Sequence, residues 1–117
     1  MNRPIQATIV TQNLKDNLFQ VKKIVNQSSI WAVIKANAYG HTIGAAFNAF
    51  SQADGLALLD LHHAHQLRSL GWTKRILLLE GLFSASEILE VISNKSDIVV
   101  HQFQQLAWID EFLAKSS

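Results

Sequence analysis

The chain has no cysteine and only one proline, one methionine and one tyrosine in 117 residues. Without thiols there are no disulfides and no thiolate metal sites, a composition that fits a reducing compartment. Charge is scarce too: 16% of residues are charged, the net charge is +1, and the basic side chains are scattered. That leaves no electrostatic case for a nucleic-acid partner. No apolar run approaches the ~20 residues of a membrane-spanning helix, and the opening MNRPIQATIV lacks the apolar core of a signal peptide. The expectation is a soluble, cytoplasmic chain with neither membrane nor nucleic acid as partner. Core material, by contrast, is plentiful: 49% of the residues are hydrophobic. This suits one small domain over 1–117, or part of a larger one.

Apolar, β-leaning runs recur along the chain as Trp31-Ala32-Val33-Ile34, Gly55-Leu56-Ala57-Leu58-Leu59, Ile76-Leu77-Leu78-Leu79 and Ile98-Val99-Val100. Their starts lie about 24, 21 and 21 residues apart, which is the period of a strand–helix repeat with parallel strands and right-handed crossovers. Helices are expected between them. The first runs from an Asn13 cap to Val25 with Leu14, Leu18, Val21 and Val25 inside, and the second from Thr42 to Gln52. A third spans His62 to Leu70, with Asp60 as a cap and Gly71 ending it. Ser84 and Glu87, at capping-box spacing, open a fourth with Ile88, Leu89 and Ile92 inward. The last spans Gln102 to Lys115, with Phe103, Leu106, Ala107, Asp110 and Leu113 near one face. Ile5 to Val10 reads as a further strand. The fold class is α/β: four parallel β/α units, the amino-terminal half of a (β/α)8 TIM-type barrel.

Within this repeat one stretch carries chemistry. WAVIKANAYGH, Trp31 to His41, puts Lys35 at the end of a buried strand. Period-two alternation places it on the face of Trp31 and Val33. Burial there favours a neutral amine able to form an imine. The plain alternative is a lysine snorkelling from a strand end.

From Ala32 to His41 the stretch resembles the pyridoxal-phosphate signature of alanine racemases, A-V-V/I-K-A-N/D-A-Y-G-H-G, and departs from it at Thr42, where the family has glycine. Leu14, Asn17 and Leu18 match the L-x-x-N-L of the family's first helix. DGLALL, KRILLLEGLFSASE and DIVVH resemble it at the matching places. The chain therefore resembles the amino-terminal third of a family member. It stops before the next expected strand, with its K-x-D-T-G motif.

By this resemblance Lys35 holds pyridoxal 5'-phosphate as an internal aldimine and serves as one of two bases. Tyr39 hydrogen-bonds the phosphate, and Val33 and Leu79 wall the pyridine ring. The resemblance implies interconversion of L- and D-alanine for peptidoglycan supply, and a homodimer whose partner subunit gives the opposing tyrosine. It also implies that the amino-terminal strand, residues 1–12, packs with a carboxyl-terminal β domain. The alternative is a truncated, catalytically incompetent remnant with at most weak cofactor binding. A decarboxylase of the same barrel class shares a Y-A-V-K-A-N-like stretch, but A-Y-G-H favours the racemase. His41 is expected to orient the turn. His62, His63 and His65 form a tempting cluster, but no carboxylate stands at a persuasive spacing, so they are read as surface residues and no metal is assigned. The departures at Thr42 and near His62, where the family has acidic residues, suggest relaxed demands on the site.

Overall fold

In the computed structural model, which describes residues 3–116, the strands and helices alternate as the spacing predicts. Residues 1, 2 and 117, the ends of the expected 1–117 unit, lie outside the described residues. In chain order the elements are α1 (Thr11–Val25), β1 (Trp31–Val33), the single turn α2 (Lys35–Tyr39), α3 (Ile43–Ala49), β2 (Gly55–Leu58) and α4 (Leu61–Leu70). Then follow β3 (Arg75–Leu78), a 3-10 turn (Ala85–Glu87), α5 (Ile88–Asn94), β4 (Asp97–Ile98) and α6 (Phe103–Ser116). The sheet order is β1-β2-β3-β4 and every pair is parallel. Val33, Ala57, Leu77 and Asp97 form one row across it.

The two faces of the sheet differ. Ile34, Leu56, Leu58, Ile76 and Leu78 are fully buried against Ala46, Ala64, Leu67, Ile88 and Val91 of the helices. On the opposite face Trp31 and Val33 remain exposed, Val33 at 47%. Among the described residues the helices thus cover one side only. The radius of gyration, 16.8 Å, exceeds the value of about 13.4 Å typical of a compact chain of this length.

Several expectations change in the structure. Ile5–Val10 forms no strand: no described strand pairs with it, and an extended segment without a partner stays hydrated. Helix α1 begins at Thr11 rather than after Asn13, and Gln12 Nε2 donates to Asp16 Oδ1 at 2.8 Å across its first turn. Leu18 is buried and Leu14 and Val25 half-buried, but Val21 is exposed. Helix α3 stops at Ala49, short of Gln52, because the chain turns back to bury Ala53.

In α5 the inward residues are Ile88, Val91 and Asn94, while Leu89 and Ile92 face solvent. The run Ile88-Leu89-Glu90-Val91-Ile92 offers two apolar faces, and packing selects the 88/91/94 one. The same reversal occurs in α6. Phe103 is 88% exposed and Leu106 and Leu113 are exposed; Gln105, Trp108, Ile109 and Phe112 turn toward the core. The fourth strand is Asp97–Ile98 rather than Ile98–Val100, and Asp60 precedes α4 without a side-chain cap bond, but two other local signals stand as predicted. Gly71 ends α4 at φ 107°, and Ser84 N–H donates to Glu87 Oε2 at 3.3 Å in the capping box.

Candidate functional site

Strand β1 ends at Val33, one residue before the predicted end, so Lys35 opens the following turn instead of extending the strand. Ile34 makes the change of direction at φ −124°, ψ 25°. Its N–H still donates to Ala57 O at 2.8 Å, which pins the turn to the sheet. Leu79 likewise lies just past β3, its N–H donating to Leu58 O at 2.8 Å. Lys35 and Leu79 each sit two residues beyond the Val33–Ala57–Leu77 row, at the carboxyl end of the sheet with β2 between them. That is the end where β/α folds place their chemistry. Lys35 is half-buried, so the enclosure expected from the sequence is only partly reached among the described residues.

From Lys35 the chain winds left-handed. Ala36, Asn37, Ala38 and Tyr39 all have φ between 53° and 55°, a conformation that costs an L-residue with a Cβ roughly 1–2 kcal/mol. A run of such residues persists only where surrounding bonds over-determine it. Here the bonds are explicit. Ala38 N–H donates to Ile34 O at 2.9 Å, and Thr42 N–H to Asn37 O at 2.9 Å. Ile43 N–H donates to Asn37 Oδ1 at 3.0 Å. His41 Nδ1 lies 2.9 Å from Ala38 O; a carbonyl only accepts, so Nδ1 carries the proton and the ring ties the turn, as expected of it.

Thr42 follows at φ 80°, ψ 147°, a region occupied almost only by glycine. This is the position where the sequence departs from its family-like pattern. The threonine hydroxyl compensates in part, accepting Ala45 N–H at 3.1 Å as the cap of α3.

Tyr39 projects from the turn with 65% of its surface exposed. With Val33, Ile34, His41 and Phe50 it borders an apolar cleft of about 190 Å³. Val33 and Tyr39 thus meet at one cleft, whose lining includes neither Lys35 nor Leu79. Asn37, which the sequence marks only as a turn former, emerges as the centre of the local hydrogen-bonding. The signal for it was the readiness of asparagine to adopt a left-handed backbone.

The rings of His62 and His63 lie 5.7 Å apart and tilted, while His63 and His65 each approach a different carboxylate. His63 Nδ1 lies 3.7 Å from Asp60 Oδ2, and His65 Nε2 lies 3.4 Å from Glu90 Oε2. His62 and His65 are exposed, but His63 is half-buried and so departs from the surface reading.

The family described as alanine racemase, N-terminal domain, matches residues 9–117. The alanine racemase of Acinetobacter baumannii (strain SDF) is 45% identical over 111 residues, covering 95% of this chain and 30% of the relative. The solved structure of alanine racemase from Acinetobacter baumannii aligns with a TM-score of 0.85 at 33% identity, over 91% of this chain and 32% of that one. The biosynthetic alanine racemase from Pseudomonas aeruginosa aligns at 0.79 and 35% identity, over 89% and 28%. The chain spans about 30% of the length of the curated relatives it matches.

Proposed function

The chain belongs to the alanine racemase family through its N-terminal domain, and we propose that it forms the pyridoxal-phosphate-holding part of an enzyme interconverting L- and D-alanine. The observation that carries this reading is the left-handed turn that sets Lys35 at the end of β1 and Tyr39 four residues later, at the border of an apolar cleft.

These residues fit the cofactor. Lys35 is half-buried at the carboxyl end of the sheet, a place where a primary amine meets a bound aldehyde. The exposed hydroxyl of Tyr39 is a donor for a phosphate oxygen. Val33 and Leu79 stand at the same end of the sheet, where in this proposal their apolar side chains would wall the ring. Pyridoxal phosphate, when bound, supplies an electron sink for the α-carbanion. Lys35 Nζ would hold the cofactor, and the same amine would take or give a proton on one face of the substrate α-carbon. The base on the other face, the homodimer, a cytoplasmic location and a role in D-alanine supply for peptidoglycan belong to the whole protein in this proposal.

For the 117 residues by themselves a second reading is proposed: a catalytically incompetent remnant with at most weak cofactor binding. The exposure of Trp31 and Val33 on the uncovered sheet face favours it. Titration with pyridoxal phosphate tests the site. A visible absorbance band that Lys35→Ala removes is expected. An equal band in the variant would assign the binding to other lysines and overturn the reading.

A further inference from the structure

We infer that Asn37 is the positioning residue of this site, holding the left-handed turn so that the Tyr39 hydroxyl reaches the phosphate of a cofactor anchored at Lys35. The inference rests on the roles of Lys35 and Tyr39 proposed above. Among the described residues the Tyr39 side chain makes no hydrogen bond, so the backbone beneath it decides where its hydroxyl lies. That backbone is the left-handed run Ala36 to Tyr39. Of these four residues only Asn37 is of a type that adopts the conformation readily.

Asn37 also makes the bonds that close the turn. Its carbonyl accepts Thr42 N–H at 2.9 Å and Gly40 N–H at 3.2 Å, and its Oδ1 accepts Ile43 N–H at 3.0 Å. Ile43 is the first residue of α3 and is 1% exposed, so the side-chain bond fastens the turn to a point fixed by the core. Tyr39 lies between these two anchors. Cutting the Oδ1 bond leaves Lys35 tied to the sheet through Ile34 but loosens the exit of the turn, which then keeps its main-chain bonds and the His41 ring contact without the tie to Ile43.

Comparing pyridoxal phosphate with pyridoxal isolates the phosphate contribution as a ratio of affinities. Tyr39→Phe is expected to lower that ratio by about tenfold or more, the worth of a hydrogen bond to a charged group. Asn37→Ala should lower it similarly while leaving pyridoxal binding near its original level. The double variant should fall no further than Tyr39→Phe alone. Asn37→Gly keeps the backbone freedom and deletes only the Oδ1 bond, so it carries the same comparison should the alanine variant fail to fold.

Equal loss of both ligands in Asn37→Ala and Asn37→Gly, or losses that multiply with Tyr39→Phe, would overturn the positioning role while sparing Tyr39. An unchanged ratio in Tyr39→Phe would instead remove the phosphate role of Tyr39, and the inference with it.

Discussion

The indole of Trp31 covers Gly55, its register partner on β2: a Cβ built on Gly55 would lie 2.5 Å from Trp31 Cε3 and closer still to Cζ3. The Arg75 guanidinium carbon lies 5.6 Å from the centre of the same ring, and Arg75 Nε donates to Asp97 Oδ2 at 2.9 Å. A tryptophan, a glycine and an ion pair therefore occupy the amino-terminal end of the uncovered face. Overpacking of this kind costs about 1–3 kcal/mol. Gly55→Ala should destabilise the chain by that amount in urea unfolding. In a Trp31→Ala background the penalty should largely vanish; its persistence there would show that some other neighbour objects to the methyl group.

Thr42 sets two effects of different size against each other. The glycine-only backbone costs of order 1–3 kcal/mol, whereas replacing a threonine cap by glycine costs only a few tenths, and the added chain entropy of glycine about 0.5–1 kcal/mol. Strain outweighs the rest. Thr42→Gly should stabilise by about 1 kcal/mol, and Thr42→Ala, which keeps the strain and loses the cap, should destabilise by about 1 kcal/mol. Denaturation midpoints in the opposite order would contradict the backbone angles.

Gln105 is 1% exposed, and its Nε2 donates to Glu80 O at 2.9 Å and Leu82 O at 3.1 Å. Its Oε1 accepts His101 N–H at 2.9 Å. One side chain thus fastens the loop after β3 to the start of α6. Gln105→Ala orphans these groups and should cost about 1–3 kcal/mol. Hydrogen exchange should quicken at the His101 amide first; unchanged protection there would argue against the network.

Arg68 reaches four carbonyls: Nε donates to Asn94 O at 2.9 Å, Nη1 to Trp72 O at 2.8 Å and Lys74 O at 2.7 Å, and Nη2 to Lys95 O at 3.0 Å. Burial pushes its guanidinium below the ordinary value, with Asp97 opposing, yet an arginine stays charged. A lysine has three donors on one atom and cannot span that fork. Arg68→Lys should destabilise by about 1–3 kcal/mol, and thermal unfolding at the same midpoint as the parent would refute the staple.

The 117-residue chain should associate as its concentration rises and should not racemise alanine. Strands β1 and β4 are edges among the described strands, and the face bearing Trp31 and Val33 has no helical cover. A positioned general base contributes about 10²–10⁴-fold in rate, and the proposed site supplies one base where two are needed. Sedimentation paired with a coupled D-alanine assay checks both halves. A monomer with Lys35-dependent turnover would reject the expectation.

The family and the strand–helix order were legible because both are written locally. The apolar runs recur at the β/α period, and Ala32 to His41 carry rare residue types in sequence. Gly71, the Ser84–Glu87 box and the Thr42 cap were equally readable, since each acts within one turn of chain. The inward faces of α5 and α6 were not. Leu89, Ile92, Phe103 and Leu106 are as apolar as the residues that are buried, and period alone does not say which stripe meets the sheet.

The sequence by itself determined which residue types stand at the end of β1: a lysine, an asparagine that accepts a left-handed backbone, one tyrosine, and a threonine where the signature it resembles has glycine. Only the tertiary structure decided how they are held. The parallel ladder ends β1 at Val33 and so turns Lys35 out of the strand. The buried start of α3 gives Asn37 its anchor at Ile43. The same α3 cap keeps Thr42 at a backbone angle it would otherwise avoid. Each of these depends on bonds to atoms fixed by packing elsewhere, and a local pattern of residues carries no record of where those atoms come to rest.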